Sequence, residues 1–160
     1  MIDTNRRVEA PADRRSMPRG GRRTYDVPGR YPFVLVAEGY EAVRTPCAAY
    51  LSLLNFEVAE TAVPKEAVAV IESGWVPHVI LADLASARVL SQVEAPSQVF
   101  IPALIVMTSS SATARPPNGA LLLKPFRLKE MLRTIRRVLH RIGPVPPPLS
   151  LARPARPNPE

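Results

Sequence analysis

Four polar residues each close an apolar run along this chain. Val34-Leu35-Val36-Ala37 leads into Glu38 and Val79-Ile80-Leu81-Ala82 into Asp83. Ile105-Val106-Met107 leads into Thr108, and Leu121-Leu122-Leu123 into Lys124. Two carboxylates brought together could hold a divalent cation. A hydroxyl could donate to a phosphoryl oxygen, and an ammonium could balance the charge. Such a set suits phosphoryl transfer onto Asp83, a reaction whose catalysis is mostly positioning and charge neutralisation.

The chemistry requires that these four ends share one edge. The apolar runs read as five strands: Pro32–Ala37, Phe56–Ala59, His78–Ala82, Ala103–Met107 and Ala120–Leu123. Helical patterns separate them. Thr45-Pro46 reads as an N-cap with Pro at the first helical position, opening a helix to about Leu54. Pro64 opens a second helix with Ala67, Val68 and Ile71 on one face, ended by Gly74. A weak helix follows around Ala87–Val93. The last runs from about Arg127 to Ile142, with Leu128, Met131, Leu132, Ile135, Val138, Leu139 and Ile142 at helical spacing. Continuous apolar strands separated by helices imply a parallel sheet covered on both faces. The expected fold is α/β and flavodoxin-like, a doubly wound five-stranded parallel sheet with ligands at the carboxyl ends of its strands. Between Thr108 and Lys124, Pro116-Pro117-Asn118-Gly119 opposes a helix, so the fourth one is expected to be shortened or missing.

At 160 residues and 46% hydrophobic content, the chain can bury one real core. The expected organisation is a basic, disordered arm over residues 1–30, one domain over 31–142, and a disordered Pro-rich tail over 143–160. The tail holds seven prolines in 18 residues. The formal charge of +7 is unevenly spread. The arm carries eight Arg against four acids, net +4, whereas residues 31–123 carry four basic and eight acidic residues, net −4. Residues 124–142 carry seven basic residues against Glu130, net +6. An acidic body is not what a dedicated nucleic-acid-binding core would show. No secretory h-region or run of membrane-spanning length is present, so the expected location is cytoplasmic. Cys47 reads as core filling, and His78 and His140 as solvated side chains without metal-ligand partners.

The strand ends in this order, together with the step Lys124-Pro125-Phe126 into the last helix, resemble bacterial response-regulator receiver domains. The resemblance covers roughly Tyr31 to Ile142. It implies that Asp83 accepts phosphate from a histidine kinase, that Thr108 senses it and that Lys124 is the charge-balancing lysine. It also implies that Glu38 and Asp83 hold Mg²⁺. The departures are substantial. Gly39 stands where the family has a second acid, so Mg²⁺ binding is expected to be weak. Asp83 is followed by Leu-Ala-Ser-Ala-Arg, without the usual Met-Pro and Asp-Gly loop. Leu121 stands where active receivers carry a switching Tyr or Phe.

The leading expectation is a stand-alone receiver-like module in a phosphorelay, phosphorylated on Asp83 and not an independent enzyme. The alternative is a pseudo-receiver that binds a partner without phosphorylation. The expected partner is a histidine kinase or another signalling protein. Nucleic acid is the lesser alternative, through the basic arm and the last helix.

Overall fold

A computed structural model describes residues 32–93 and 101–142. The expectations for residues 1–30 and 143–160 lie outside the described residues. Five parallel strands form one sheet in the order β2-β1-β3-β4-β5. They are β1 Phe33–Ala37, β2 Glu57–Thr61, β3 Val79–Asp83, β4 Ala103–Thr108 and β5 Ala120–Leu123. The four helices are α1 Glu41–Leu53, α2 Pro64–Glu72, α3 Leu84–Leu90 and α4 Leu128–Ile142. This is the doubly wound, flavodoxin-like arrangement expected from the sequence.

Strand alternation divides the core in two. Val34 and Val36 of β1 face α1 and α4, where Cys47, Leu51, Met131, Ile135 and Val138 bury against them. Leu35 and Ala37 face the other way, toward Ala67 and Ile71 of α2 and Ala87 and Leu90 of α3. With apolar layers on both sides, neither face of the central strands can be polar, which explains their unbroken hydrophobic runs.

Three local readings need correction. Helix α1 opens at Glu41 rather than at Pro46, which lies inside it. The Tyr40 carbonyl accepts from the Val43 and Arg44 amides, so the first turn closes ahead of the proline. Pro46 forfeits one main-chain bond, and the burial of Cys47, Ala48 and Leu51 on the same helix offsets that loss. Helix α3 starts at Leu84 instead of near Ala87, because Asp83 itself caps it. His78 is buried, not solvated: its Nδ1 accepts from the Phe33 amide at 2.9 Å, and burial lowers its pKa. His140 is exposed as expected.

No helix lies between β4 and β5; residues 109–119 form turns and extended chain. A Cβ at Gly119 would fall 1.7 Å from the Leu104 carbonyl oxygen, so only glycine permits this close return to β4. Arg115 braces the same turn by donating to the Gly119 carbonyl at 3.1 Å.

Candidate functional site

The parallel register decides which ends meet. Ala37 pairs with Ala82, Asp83 with Met107, and Thr108 with Leu123. Glu38, Asp83, Thr108 and Lys124 therefore all leave the carboxyl edge of the sheet together, the edge at which ligands bind in this architecture.

Glu38 is 2% exposed, so it is not a solvated loop acid. Its Oε2 accepts from Lys124 Nζ at 2.5 Å, and its Oε1 accepts from the Tyr40 amide at 2.9 Å. Arg44 on α1 donates to the Glu38 carbonyl at 2.8 Å, holding the β1–α1 turn from the other side. The Lys124 main chain is anchored as well, its amide donating to the Thr108 carbonyl at 2.8 Å. The peptide bond between Lys124 and Pro125 is cis. Near this pair lies the Cys47 thiol. Burial first, and then the Glu38 charge, push its pKa up to about 11, with Lys124 pulling the other way. Such a thiol stays protonated and unreactive, consistent with core filling.

Asp83 is half-buried. Its Oδ1 accepts from the Ser86 amide at 2.7 Å, the N-cap bond of α3. Its Oδ2 accepts from the Gly39 amide at 2.9 Å. Thr108 Oγ1 turns into its own loop, within 3.1 Å of Thr113 Oγ1, and accepts from the Ser110 amide. The fold thus joins Glu38 to Lys124 directly and ties Asp83 to the Glu38 turn through Gly39. The Thr108 hydroxyl bonds outside that trio. Sequence reasoning missed Arg44, six residues beyond the carbonyl it holds, because nothing in the spacing marks it. An acid that follows a strand can cap the next helix, but the donor here is the Ser86 main-chain amide, which the residue type at 86 does not mark.

Those bonds decide whether the residues fit a divalent cation. A hard cation such as Mg²⁺ takes about six oxygen ligands at near-ideal octahedral geometry. Here all four carboxylate oxygens of Glu38 and Asp83 already accept hydrogen bonds, one of them from an ammonium. Gly39 adds no carboxylate, and the described residues contain no group of three or more His, Cys, Asp or Glu arranged to hold a metal ion. The donor set does not fit a resident Mg²⁺ ion. Lys124 supplies the positive charge at Glu38 instead.

No family model matches this chain, and no curated protein matches it. Solved structures do. Chemotaxis protein CheY4 of Vibrio cholerae superimposes with a TM-score of 0.58 at 21% identity, covering 68% of this chain and 98% of that one. A CheY-like response-regulator receiver domain from Methylobacillus flagellatus also gives 0.58, at 14% identity and with the same coverages. The receiver domain of the hybrid histidine kinase CckA gives 0.56 at 19% identity, over 67% of this chain and 98% of that one. The described residues are a receiver-like domain: they have the fold of the response-regulator receivers. The missing helix between β4 and β5 and the internally bonded site make it an atypical one.

Proposed function

We propose that this chain is a receiver-fold signalling module that recognises a partner protein without phosphorylation of Asp83, and that it has no enzymatic activity of its own. The observation that carries this reading is the engagement of Asp83. One carboxylate oxygen caps α3 and the other holds the Gly39 amide, so the side chain is built into the backbone around it. A hydrogen bond to a charged group is worth about 1.5–3 kcal/mol, and attack on phosphorus would sacrifice at least one. Phosphoryl transfer also needs cations on the transferred group. Lys124 is committed to Glu38.

The readout machinery supports the same conclusion. A phosphoryl group changes a protein only through its differential affinity for two conformations. Leu121 has no hydroxyl or ring to reorient, and the β4–β5 connection has no helix to shift. The partner surface is thus a constant feature of the fold. Such a protein would belong to two-component signalling as a binding component, with a histidine kinase or another signalling protein as its partner. Among the described residues no helix is long and apolar enough to cross a membrane, which is compatible with a cytoplasmic site of action.

One observation favours the phosphoacceptor reading. Asp83 is half-exposed at the correct edge, whereas Glu38 is buried. Intact-mass spectrometry of the full chain after incubation with acetyl phosphate and Mg²⁺ distinguishes the two. No phosphoryl adduct is expected. Near-complete labelling that vanishes in Asp83→Asn would overturn the proposal.

A further inference from the structure

Helix α4 presents two unlike faces. Met131, Ile135, Val138 and Leu139 are buried against the sheet and α1, and Leu132 is buried as well. The outward positions carry Lys129, Arg133, Arg136, Arg137, His140 and Arg141, all exposed. At the rise of an α-helix this cationic stripe, from Lys129 to Arg141, runs along about 18 Å. None of its lysine or arginine side chains is ion-paired with a described acid; Glu130, the one acid of the helix, caps its start by accepting from the Arg127 amide at 2.9 Å.

The fold also separates charge. Glu57 and Glu60 on β2 and Glu66 and Glu72 on α2 are exposed around one edge of the sheet. Helix α4 packs on β3, β4 and β5 toward the opposite edge. A body with acids on one side and an arginine-rich stripe on the other turns that stripe toward a polyanion as it approaches.

We propose that the α4 stripe is a docking surface for duplex nucleic acid, gripping the phosphate backbone without reading bases. This inference does not depend on the state of Asp83. Three features select the partner. Protein interfaces are anchored by buried aromatic or aliphatic side chains, and the exposed positions of α4 offer none. Single strands are held by stacking on aromatic rings, and the stripe contains none except the imidazole of His140. Insertion into a membrane surface would need the apolar face of α4, which is already spent on the core. Arginine-dominated cation rows without apolar anchors fit phosphates, which guanidinium groups grip in pairs of bonds. The eight arginines of residues 1–30 would add charge to the same complex.

The test uses the full chain and a labelled DNA duplex of arbitrary sequence, titrated by fluorescence anisotropy across about 50–200 mM salt. Binding should weaken linearly on a log–log plot and be indifferent to sequence. The triple variant Arg133→Gln/Arg136→Gln/Arg137→Gln should lose about tenfold or more in affinity at low salt. Its slope should become shallower by about 2.7, at about 0.9 per lost phosphate contact. Thermal melting followed by circular dichroism checks that the variant is folded. Should it not be, Lys129→Gln/Arg141→Gln takes its place, with a slope change of about 1.8. A matched variant, Arg14→Gln/Arg15→Gln/Arg22→Gln, separates the arm from the helix. If it abolishes binding while the α4 variant leaves affinity and slope unchanged, the arm is the binder and the proposal fails. Equal or tighter binding to polyglutamate, to a single strand of the same length or to phosphatidylglycerol vesicles also overturns it, in favour of an acidic protein, an open strand or a membrane surface. No binding to the duplex at low salt overturns it outright.

Discussion

Removing the ammonium from the Glu38–Lys124 pair should be far more damaging than removing the carboxylate. In Lys124→Met, Glu38 keeps its charge with a side chain only 3% exposed. Breaking a buried pair in this way costs about 3–5 kcal/mol, because the orphaned charge has no water to turn to. The Tyr40 amide still donates to Glu38, which places the expected loss near the lower end, about 3 kcal/mol. In Glu38→Gln the orphan is Lys124, with a side chain 24% exposed that can swing its ammonium into solvent. Its cost should be about 1 kcal/mol, mostly the lost bond. The double variant removes both charges and should cost less than Lys124→Met alone, giving a coupling of about 2 kcal/mol. Urea unfolding at neutral pH reads all four proteins. Trp75 is the sole tryptophan and its ring lies 5.7 Å from that of Phe33, so its fluorescence follows the core. With a slope of about 1–3 kcal/mol per molar urea, Lys124→Met should move the midpoint by about 1 M or more. Costs that add within about 0.5 kcal/mol would show that the two groups do not depend on each other. Two single losses below about 0.5 kcal/mol would mean that Glu38 reaches water, and the account of a self-contained site would fall.

Two further outcomes follow from the same geometry. A Cβ at Gly39 would meet the Ala62 carbonyl and Asp83 Oδ2 at 3.5 Å, an ordinary contact, so Gly39→Asp fits and adds a carboxylate. Millimolar Mg²⁺ should raise the unfolding midpoint of that variant and leave the native protein unmoved; an equal rise in the native protein would reveal ligands beyond Glu38 and Asp83. His78 has its pKa lowered by burial, so the unfolded chain takes up its proton first as pH falls. The stability it contributes is whole above about pH 6.5 and drains away as pH drops through that value toward the folded pKa. His78→Asn, which can still accept from the Phe33 amide, should flatten the dependence of the urea midpoint on pH between about 7.5 and 5.5. An unchanged profile would assign the acid sensitivity to other groups.

The strands were the most legible part of this protein. Each central strand is buried on both faces and so must be apolar throughout, and that demand writes an unbroken run into the sequence at β1, β3 and β4; the edge strand β5 is apolar too, although its Leu123 is exposed. Helix α4 was equally plain, because one side faces the core and the other faces water. The loss of the helix before β5 was visible in Pro116 and Pro117, which cannot continue one. Local signals failed where a distant segment decided the outcome. Thr45-Pro46 looked like a helix start, but the Tyr40 carbonyl closed the first turn earlier and core burial of Cys47 and Leu51 carried the helix through the proline. His78 looked solvated until Phe33, 45 residues away in sequence, supplied an amide for its Nδ1. The order of the polar strand ends was readable, and their common edge followed once the sheet was parallel. How their charges are satisfied was not readable. Glu38 and Lys124 are 86 residues apart, and both oxygens of Asp83 are filled by main-chain amides, which every residue except proline possesses and which no sequence pattern advertises. Sequence records which side chains are present and which faces must be apolar. Only tertiary structure decides which donors reach a carboxylate, because that depends on where backbone from separate segments comes to rest.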